Sequence, residues 1–267
     1  NDSALAELWL PNDFNVKIFK QHTDIPIYKI PYVVDTSLAE NINIKLPINL
    51  NINKNTFIFY SIFQWSNRKN PEGLLSGYFT EFSSNENVCL LLKTYGGTFG
   101  NEERQKIAEK VNNLKYELGN IKFPQVYFIF DLLSTEQLVQ LHNLGDCYLS
   151  PHRAEGWGLP ISEAMSSKKP VISTNWSGNL EFCNAKNSYL IDYNLTPVRG
   201  ITWSPWYTGE QSWAEPHIDH FKNLIREVYT KQEEAKEKGK IAFESIQKFS
   251  PINIGEMMLK RIQALVK

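Results

Sequence analysis

The sequence is short of several features that would each assign it to a class of protein. Its three cysteines are too few and too scattered for a disulfide framework or a zinc cluster. No apolar run approaches the roughly 20 residues that a membrane-spanning helix needs. The 28 Lys and Arg residues are balanced by 29 Asp and Glu, so the basic excess typical of nucleic-acid binders is missing. These absences argue against a disulfide-stapled domain, a membrane span and a nucleic-acid partner.

Several active-site motifs are absent as well. The sequence has no D-x-D pair, no G-x-S-x-G and neither common form of glycine-rich phosphate loop. The G-G-T-F-G segment at 96–100 predicts a flexible turn. The H-I-D-H segment at 217–220 predicts the polar N-terminus of a helix, because three metal ligands so close along the chain make poor geometry. We therefore expect no metal. The apolar flanks of Cys89, Cys147 and Cys183 predict buried thiols in a reducing compartment.

What the sequence does contain is a regular alternation of short apolar runs and amphipathic segments, with hydrophobic residues at 42% of its 267 positions. Strands are predicted at 57–63, 88–93, 126–130, 146–150, 169–175 and 187–193. Helices are predicted at 71–82, 101–118, 134–145 and 159–167, and Ser134 with Gln137 predicts a capping box at the start of the third. Short apolar strands separated by helices indicate a parallel sheet covered on both faces. The predicted fold class is therefore α/β, with a doubly wound, Rossmann-like parallel sheet.

The segments outside this alternation are less regular. Residues 1–35 predict a short helical or irregular start and then an extended run, and the Asn-rich stretch 42–56 predicts a linker or an edge strand. Residues 201–216 predict an irregular, well-packed loop, and residues 217–250 one or two helices. The last segment, 252–267, predicts an amphipathic helix with a solvated face rather than a membrane-surface helix.

The loop after the fourth strand carries the clearest chemistry. Ligands of doubly wound sheets bind beyond the carboxyl ends of the strands. There the glycines Gly156 and Gly158 permit close approach of a ligand, and Leu159-Pro160 opens a helix. The N-terminus of that helix offers backbone N–H groups and a positive dipole end to an anion such as a diphosphate.

Two carboxylates flank this anion site. Glu155 precedes the glycines, and Glu163 follows eight residues later in the helix. Acids repel phosphate, but they accept hydrogen bonds from sugar hydroxyls, and a nucleotide sugar carries hydroxyls on both sides of its diphosphate. The alternative is that Glu155 is a surface acid and Glu163 an ordinary first-turn acid.

Basic residues at neighbouring strand ends fit the same ligand. Arg68 and Lys69 follow the first predicted strand and Lys93 ends the second, so all three reach one crevice in a parallel sheet. Solvated cations at strand ends are the alternative interpretation. His152 and Arg153 precede Glu155 and could line a sugar pocket, with a structural role left open for His152.

The string Glu155-Gly156-Trp157-Gly158-Leu159-Pro160-Ile161-Ser162-Glu163 resembles the E-x7-E signature of the retaining glycosyltransferases of family 4, whose fold is called GT-B. The segments 64–79, 168–182 and 6–15 are similar to other parts of that family. The resemblance implies the C-terminal, donor-binding half of a GT-B enzyme. Residues 1–54 would then end the N-terminal acceptor domain and its linker, 55–250 would form the donor domain, and 251–267 would pack on the missing N-terminal domain.

The resemblance also implies roles for individual residues. Lys69 matches the family lysine that contacts the donor diphosphate, whereas the family's usual arginine is replaced by Gln64, so that Arg68 or Lys93 would supply the second contact. Backbone groups near Leu133 would read the nucleobase. Glu155 would orient the hexose and Glu163 would hold the ribose. The expected catalytic residues are Glu155 and Lys69. The expected donor-binding residues are Arg68, Lys93, Leu133, Gly156, Trp157, Gly158, Leu159 and Glu163.

The expected activity is the transfer of a hexose from a nucleotide-diphosphate sugar to a glycan or lipid-linked acceptor, with retention and without a metal. GDP-mannose is the favoured donor, because the R-K-N-P and W-A-E-P elements resemble mannosyltransferases, and a UDP-sugar is the other. A non-catalytic nucleotide-sugar module, an epimerase or a phosphorylase of the same fold are the alternatives. The start lacks a Met and a signal peptide. We expect a fragment, inactive by itself, of a cytoplasmic protein, with peripheral membrane contact left open for the whole protein.

Overall fold

The computed structural model describes residues 5–36, 44–119, 122–201 and 204–266. Its first elements are β1 (Leu8–Leu10), α1 (Asp13–Phe19) and β2 (Ile27–Lys29), and β1 pairs with β2 in parallel. The side chain of Asn12 caps α1 by accepting the backbone N–H of Asn15 at 2.8 Å. Residues 44–56 contain no strand, so the edge-strand alternative is wrong there; Pro47 has no N–H to donate to a ladder. Residues 37–43 of that stretch lie outside the described residues.

Alternating strands and helices follow, as predicted, from residue 57 to residue 191. The strands are β3 (Phe57–Gln64), β4 (Val88–Tyr95), β5 (Gln125–Ile129), β6 (Cys147–Ser150), β7 (Val171–Thr174) and β8 (Tyr189–Ile191). The helices between them are α2 (Pro71–Glu81), α3 (Asn101–Leu118), α4 (Thr135–Leu144) and α5 (Leu159–Ser166). The capping box predicted at Ser134 is present, with Gln137 as its partner.

The strands form one parallel sheet in the order β5-β4-β3-β6-β7-β8. The chain runs outward from β3 through β4 to β5, then returns to place β6 on the other side of β3 and continues outward to β8. The strand order therefore reverses between β3 and β6, which makes the crevice beyond their carboxyl ends the expected ligand site. The α/β fold class and the doubly wound sheet are confirmed.

Apolar side chains fill both faces of the sheet. Along β3, Phe57 and Phe59 belong to one buried cluster and Ile58 and Tyr60 to another, as alternation along a strand requires. Cys89, Cys147 and Cys183 are all buried free thiols, which confirms their predicted burial.

The C-terminal part differs from the prediction in one place. Strands β9 (Tyr193–Pro197) and β10 (Ser212–Pro216) form an antiparallel hairpin, so part of the predicted irregular loop is a strand. Trp213 is buried there, whereas Trp206 is 81% exposed, so the loop is not well packed throughout. Residues 202 and 203 lie outside the described residues. Three helices complete the chain: α6 (Ile218–Thr230), α7 (Gln232–Ile246) and α8 (Pro251–Leu265). Across the described ranges, no helix has the length and apolar character to cross a bilayer.

Candidate functional site

The reversal of strand order brings together the loop after β3 and the loop after β6. The first contains a short 3-10 turn at Asn67–Lys69 and then Asn70, whose backbone is left-handed with φ 55°. The side chain of Asn70 caps α2 by accepting the N–H of Gly73 at 3.2 Å, and it donates to the carbonyl of Pro151 at 3.0 Å. Asn70 thereby fixes the position of Arg68 and Lys69 relative to the second loop.

Glu155 is the meeting point of these loops. Its carboxylate accepts a hydrogen bond from Lys69 Nζ and another from Arg68 Nη1 at 3.0 Å. Arg68 Nη1 also donates to the carbonyl of Ala154 at 2.7 Å. Burial alone would raise the pKa of Glu155, but the charges of Lys69, His152 and Arg68 outweigh it and hold that pKa below its ordinary value. Glu155 is therefore a buried, ionised group held between two cations.

The backbone of the glycine loop is fixed from both sides. The N–H of Glu155 donates to Ser177 Oγ at 2.8 Å, and its carbonyl accepts the N–H of Gly178 at 2.9 Å. The carbonyl of Gly156 accepts from Asn12 Nδ2 at 2.6 Å. Gly158, with φ 95°, directly precedes α5 and supplies no side-chain cap. The first turn of α5 thus begins in a rigid loop beside the two cations.

A cleft of about 410 Å³ opens in front of this loop, and its lining includes Arg68, Lys69, Lys93, Leu133 and Pro160. Lys93 is only 5% exposed, and its Nζ lies 5.3 Å from the ring centroids of both Tyr95 and Phe99. Burial lowers the pKa of Lys93, with Asp131 opposing and Arg104 adding to the shift. Among the described residues, Lys93 makes no salt bridge within 4.0 Å. An anion in the cleft would supply its missing counter-charge.

A second cavity of about 220 Å³ adjoins the cleft at Leu138 and is lined by α4, α5 and the segment Val33–Asp35. Glu163 lies on its wall with its side chain 46% exposed, and Leu159 lies beside it at 47% exposure. Trp157 does not face either space: it is buried, and its Nε1 donates to Ser162 Oγ at 3.3 Å.

The structure does not bring His152 and Arg153 into the cleft. The ring of His152 is fully buried, with Nδ1 3.0 Å from Ser150 Oγ and Nε2 3.2 Å from Asn179 Oδ1. Burial lowers the pKa of His152. This geometry corresponds to the structural alternative for His152.

Arg153 instead fastens the β9–β10 hairpin. Its guanidinium donates to both carboxylate oxygens of Glu215, at 2.5 and 2.9 Å, and lies 5.2 Å from the ring centroid of Trp213. It contributes to a separate, open cavity rather than to the cleft.

Some residues of the site carried too weak a sequence signal to be predicted. Asn12, Ser177 and Gly178 hold the glycine loop; the sequence resemblance includes the segments that contain them, 6–15 and 168–182, but it gives none of these three residues a role. Asn70 was detectable in principle, because Asn directly before a helix-opening Pro is a favourable cap. Across residues 5–36, 44–119, 122–201 and 204–266, no group of three His, Cys, Asp or Glu side chains is arranged to hold a metal.

Comparison with protein-family models gives one match. The model described as "Glycosyl transferases group 1" matches residues 44–197, which is more than half of the chain. The matched region contains the whole central sheet, both cations, Glu155 and Glu163. A search of curated proteins finds no significant match.

Solved structures with a similar fold include three proteins that are each 15–17% identical to this chain. HepE from Anabaena, in complex with UDP and glucose, has a TM-score of 0.72 and 15% identity, covering 97% of this chain and 63% of its own. Sucrose-phosphate synthase from Thermosynechococcus elongatus has a TM-score of 0.71 and 16% identity, covering 97% and 58%. The pneumococcal O-GlcNAc transferase GtfA, with UDP and GlcNAc, has a TM-score of 0.63 and 17% identity, covering 100% and 46%. The chain thus spans about half to two thirds of each.

Proposed function

The chain belongs to the group 1 glycosyl transferases, with the GT-B fold, and we propose that its protein transfers a hexose from a nucleoside-diphosphate sugar to a glycan or lipid-linked acceptor. In this proposal the chain supplies the donor-binding half, residues 55–250, and the acceptor site lies elsewhere. We further propose that it acts as the retaining enzymes of family 4 do.

One observation carries the proposal. At the reversal of strand order, Arg68 and Lys69 both contact Glu155, and Lys93 lies in the same cleft as these cations. Three cations in a cleft that is also lined by Pro160, in the first turn of α5, suit a diphosphate, and the carboxylate of Glu155 between two of them suits a sugar hydroxyl. A phosphate site alone would not require a buried carboxylate between its cations.

The mechanism follows from the charges of the cleft. When the bond between C1 of the sugar and the diphosphate breaks, negative charge grows on the leaving phosphate. Lys69 and its basic neighbours stabilise that charge, and the loss of one such preorganised contact typically lowers the rate by about 10²–10³. Glu155 orients the hexose through its hydroxyls. For retention, the acceptor attacks from the face that the diphosphate leaves.

The rest of the donor occupies the neighbouring surfaces. In this proposal Glu163, on the wall of the second cavity, accepts hydrogen bonds from ribose hydroxyls, and backbone groups near Leu133, which lines the cleft, contact the nucleobase. GDP-mannose is the donor that the sequence resemblance favours. UDP-sugars are supported by the similar structures that hold UDP with glucose or with GlcNAc.

The acceptor side of the proposal rests on α8. Several of its apolar side chains are exposed, among them Ile252 at 73%, Leu259 at 55% and Ile262 at 46%. We propose that these side chains pack on the acceptor domain, and that the complete enzyme works in the cytoplasm, where the donor is available, with peripheral membrane contact if the acceptor is a lipid.

Calorimetric titration tests the donor assignment. We expect the chain to bind UDP or GDP, together with the corresponding UDP-glucose or GDP-mannose, and to bind ADP more weakly. A Lys69→Met variant should lose at least tenfold in affinity for the preferred diphosphate, whereas Lys115→Met, a cation on α3 remote from the cleft, should lose nothing. If the unmodified chain bound UDP, GDP and ADP with equal affinity, and if neither variant changed these affinities, the assignment would be contradicted.

The catalytic part of the proposal is tested in the complete enzyme. A Glu155→Ala variant should retain donor binding and lose at least a hundredfold in sugar transfer. Unchanged turnover would remove Glu155 from the mechanism, whereas absence of transfer by the unmodified complete protein would favour a non-catalytic nucleotide-sugar module.

A further inference from the structure

Behind Glu163 lies a buried histidine that neither the sequence analysis nor the proposed mechanism uses. His142, on α4, has a side chain only 3% exposed and lies against the wall of the second cavity. Its Nε2 is 3.6 Å from Glu163 Oε2, and this buried nitrogen has no hydrogen-bond partner in the part of the chain that the structure describes. A buried polar atom without a partner is costly, so its orientation toward a carboxylate requires an explanation.

The other ring nitrogen of His142 is engaged by Tyr60. Tyr60 OH lies 2.9 Å from His142 Nδ1, and the tyrosine side chain is completely buried on β3. Burial, followed by the nearby Tyr148, raises the pKa of Tyr60 well above its ordinary value, so the hydroxyl keeps its proton. A buried hydroxyl must donate that proton to an acceptor, and Nδ1 is within reach.

This contact selects one tautomer of the histidine. If Nδ1 accepts from Tyr60, the neutral ring carries its proton on Nε2, the nitrogen that faces Glu163. The three groups then form a directed chain, in which Tyr60 donates to His142 and His142 donates toward Glu163. A shift of a few tenths of an ångström would close the last step, from 3.6 Å to an ordinary hydrogen bond.

We propose that His142 is a positioning residue that aims the carboxylate of Glu163 at a ribose hydroxyl of the donor, with Tyr60 fixing the tautomer that allows it. This inference rests on the proposed function, because it needs a nucleoside in the second cavity. It adds that the half-exposed glutamate on α5 is held by a histidine on α4 rather than being an ordinary first-turn acid. The proposal also explains why a histidine, rather than an apolar residue, lies between two helices at a buried position.

The test is a comparison of hydroxyl recognition in matched variants. UDP, 2′-deoxy-UDP and 3′-deoxy-UDP are titrated into the chain, and the series is repeated with GDP and its deoxy analogues. In the unmodified chain, loss of the hydroxyl that contacts Glu163 should lower affinity about tenfold or more, since a hydrogen bond to a charged group is broken. In His142→Leu, UDP itself should bind more weakly, and the same deoxy analogue should bind within about threefold of UDP.

Two further variants separate positioning from folding. His142→Gln can place an amide N–H close to the position of Nε2, so it should restore much of the hydroxyl discrimination. Tyr60→Phe keeps the buried ring but removes the donor, so it should lower the discrimination without abolishing it. A general loss of structure would lower all affinities by the same factor and would leave the ratio between the affinities for UDP and for its deoxy forms unchanged. His220→Gln, which changes a partly exposed histidine paired with Asp192, is the control that should match the unmodified chain.

A double variant completes the comparison. Once Glu163→Ala has removed the carboxylate, adding His142→Leu should change UDP affinity by less than about twofold, because His142 acts through Glu163. If His142→Leu keeps the full discrimination between UDP and its deoxy forms, or if the two changes add independently, the positioning role is wrong. A failure of the unmodified chain to bind UDP and GDP is a separate outcome, which contradicts the proposed function and with it this role.

Discussion

Several charged side chains of the cleft are almost completely shielded from bulk water. The side chains of Glu155 and Lys69 are 7% and 14% exposed, so each depends on the other to remain ionised without a large desolvation cost. Lys93 is as enclosed but makes no salt bridge within the described ranges. The cleft therefore holds one carboxylate shared by two cations and one further cation available to a ligand, and these two arrangements have different consequences for stability and binding.

The first prediction concerns Glu155 and pH. Because its folded pKa lies below its ordinary value of 4.5, ionised Glu155 stabilises the fold fully above that value, and this contribution is lost as the pH falls through the folded pKa. Glu155→Gln should lower the free energy of unfolding by about 3 kcal/mol at pH 7. That difference should shrink steadily below pH 4.5. Denaturant unfolding between pH 7 and 3 measures it, with Glu237→Gln, an exposed acid paired with Lys240, as control. A difference independent of pH would contradict the ion-pair interpretation.

The second prediction concerns Lys93. Lys93→Met should lower the affinity for UDP by about tenfold or more and leave that for uridine within twofold, because only the phosphates need the cation. The free energy of unfolding should not fall, since burial disfavours the charge that is removed. Titration calorimetry measures both ligands. Lys115→Met is the matched control, since that lysine also lies over two aromatic rings but far from the cleft. Equal losses for uridine and UDP would show that Lys93 supports the fold rather than the phosphates.

At the scale of helices and strands, sequence periodicity predicted most of the elements. Helix α3 begins at Asn101 and ends at Leu118, as its three- and four-residue apolar spacing indicates, and α4 has the capping box that Ser134 and Gln137 predicted. The β9–β10 hairpin was missed because its strands pair across a long, aromatic-rich connection without a compact turn signal.

The same distinction applies to the residues of the site: some positions follow from where a strand ends, and others depend on tertiary packing. Lys69 and Glu155 were placed together because each follows a strand, and the carboxyl ends of parallel strands share one edge. The burial of His152 and the fastening role of Arg153 depend on Asn179 and Glu215, which only tertiary packing brings near. Periodicity locates an element and its exposed end, but it does not state which distant side chain will complete a hydrogen bond.

The third prediction compares two glycines in different elements. A Cβ on Gly178 would overlap the carbonyl oxygen of Gly156, so Gly178→Ala must displace the glycine loop before α5. It should cost about 1–3 kcal/mol of unfolding free energy and weaken UDP binding. Gly255, in the middle of α8, has no atom within 4 Å of its Cβ position, so Gly255→Ala should stabilise by about 0.5–1 kcal/mol. Denaturant unfolding measures the change in unfolding free energy for each variant, and the two changes should have opposite signs. If Gly178→Ala were also stabilising, the crowding against Gly156 would be refuted.

At the scale of the whole molecule, side chains from opposite parts of the sequence are fastened to each other. Arg261 on α8 donates to both carboxylate oxygens of Glu7, with Nε–Oε1 at 2.9 Å and Nη2–Oε2 at 2.6 Å. The same guanidinium lies 3.5 Å from the ring centroid of Tyr28 on β2. The β1–β2 unit and the last helix therefore behave as one layer beside the glycine loop, which Asn12 contacts in turn.

The fourth prediction tests this connection. Arg261→Met should increase amide hydrogen exchange several-fold in β1, β2 and α8 together, while the strands of the central sheet keep their protection. Hydrogen–deuterium exchange with mass spectrometry measures all of these segments in one experiment. Lys260→Met changes an exposed neighbour on the same helix and should leave every segment unchanged. Faster exchange confined to α8 would mean that the contact does not couple α8 to the β1–β2 unit.

Because the carboxylate of Glu155 lies between Arg68 and Lys69, these two cations already have a counter-ion before any ligand binds. A singly charged anion such as chloride gains little by competing with a counter-ion that the protein itself supplies. A diphosphate brings several charges and reaches Lys93 as well, so it can share or displace that internal counter-ion at a net gain. Glu155 should therefore make the cleft prefer anions that carry several negative charges, so that nucleotides still bind in a solution rich in singly charged salts.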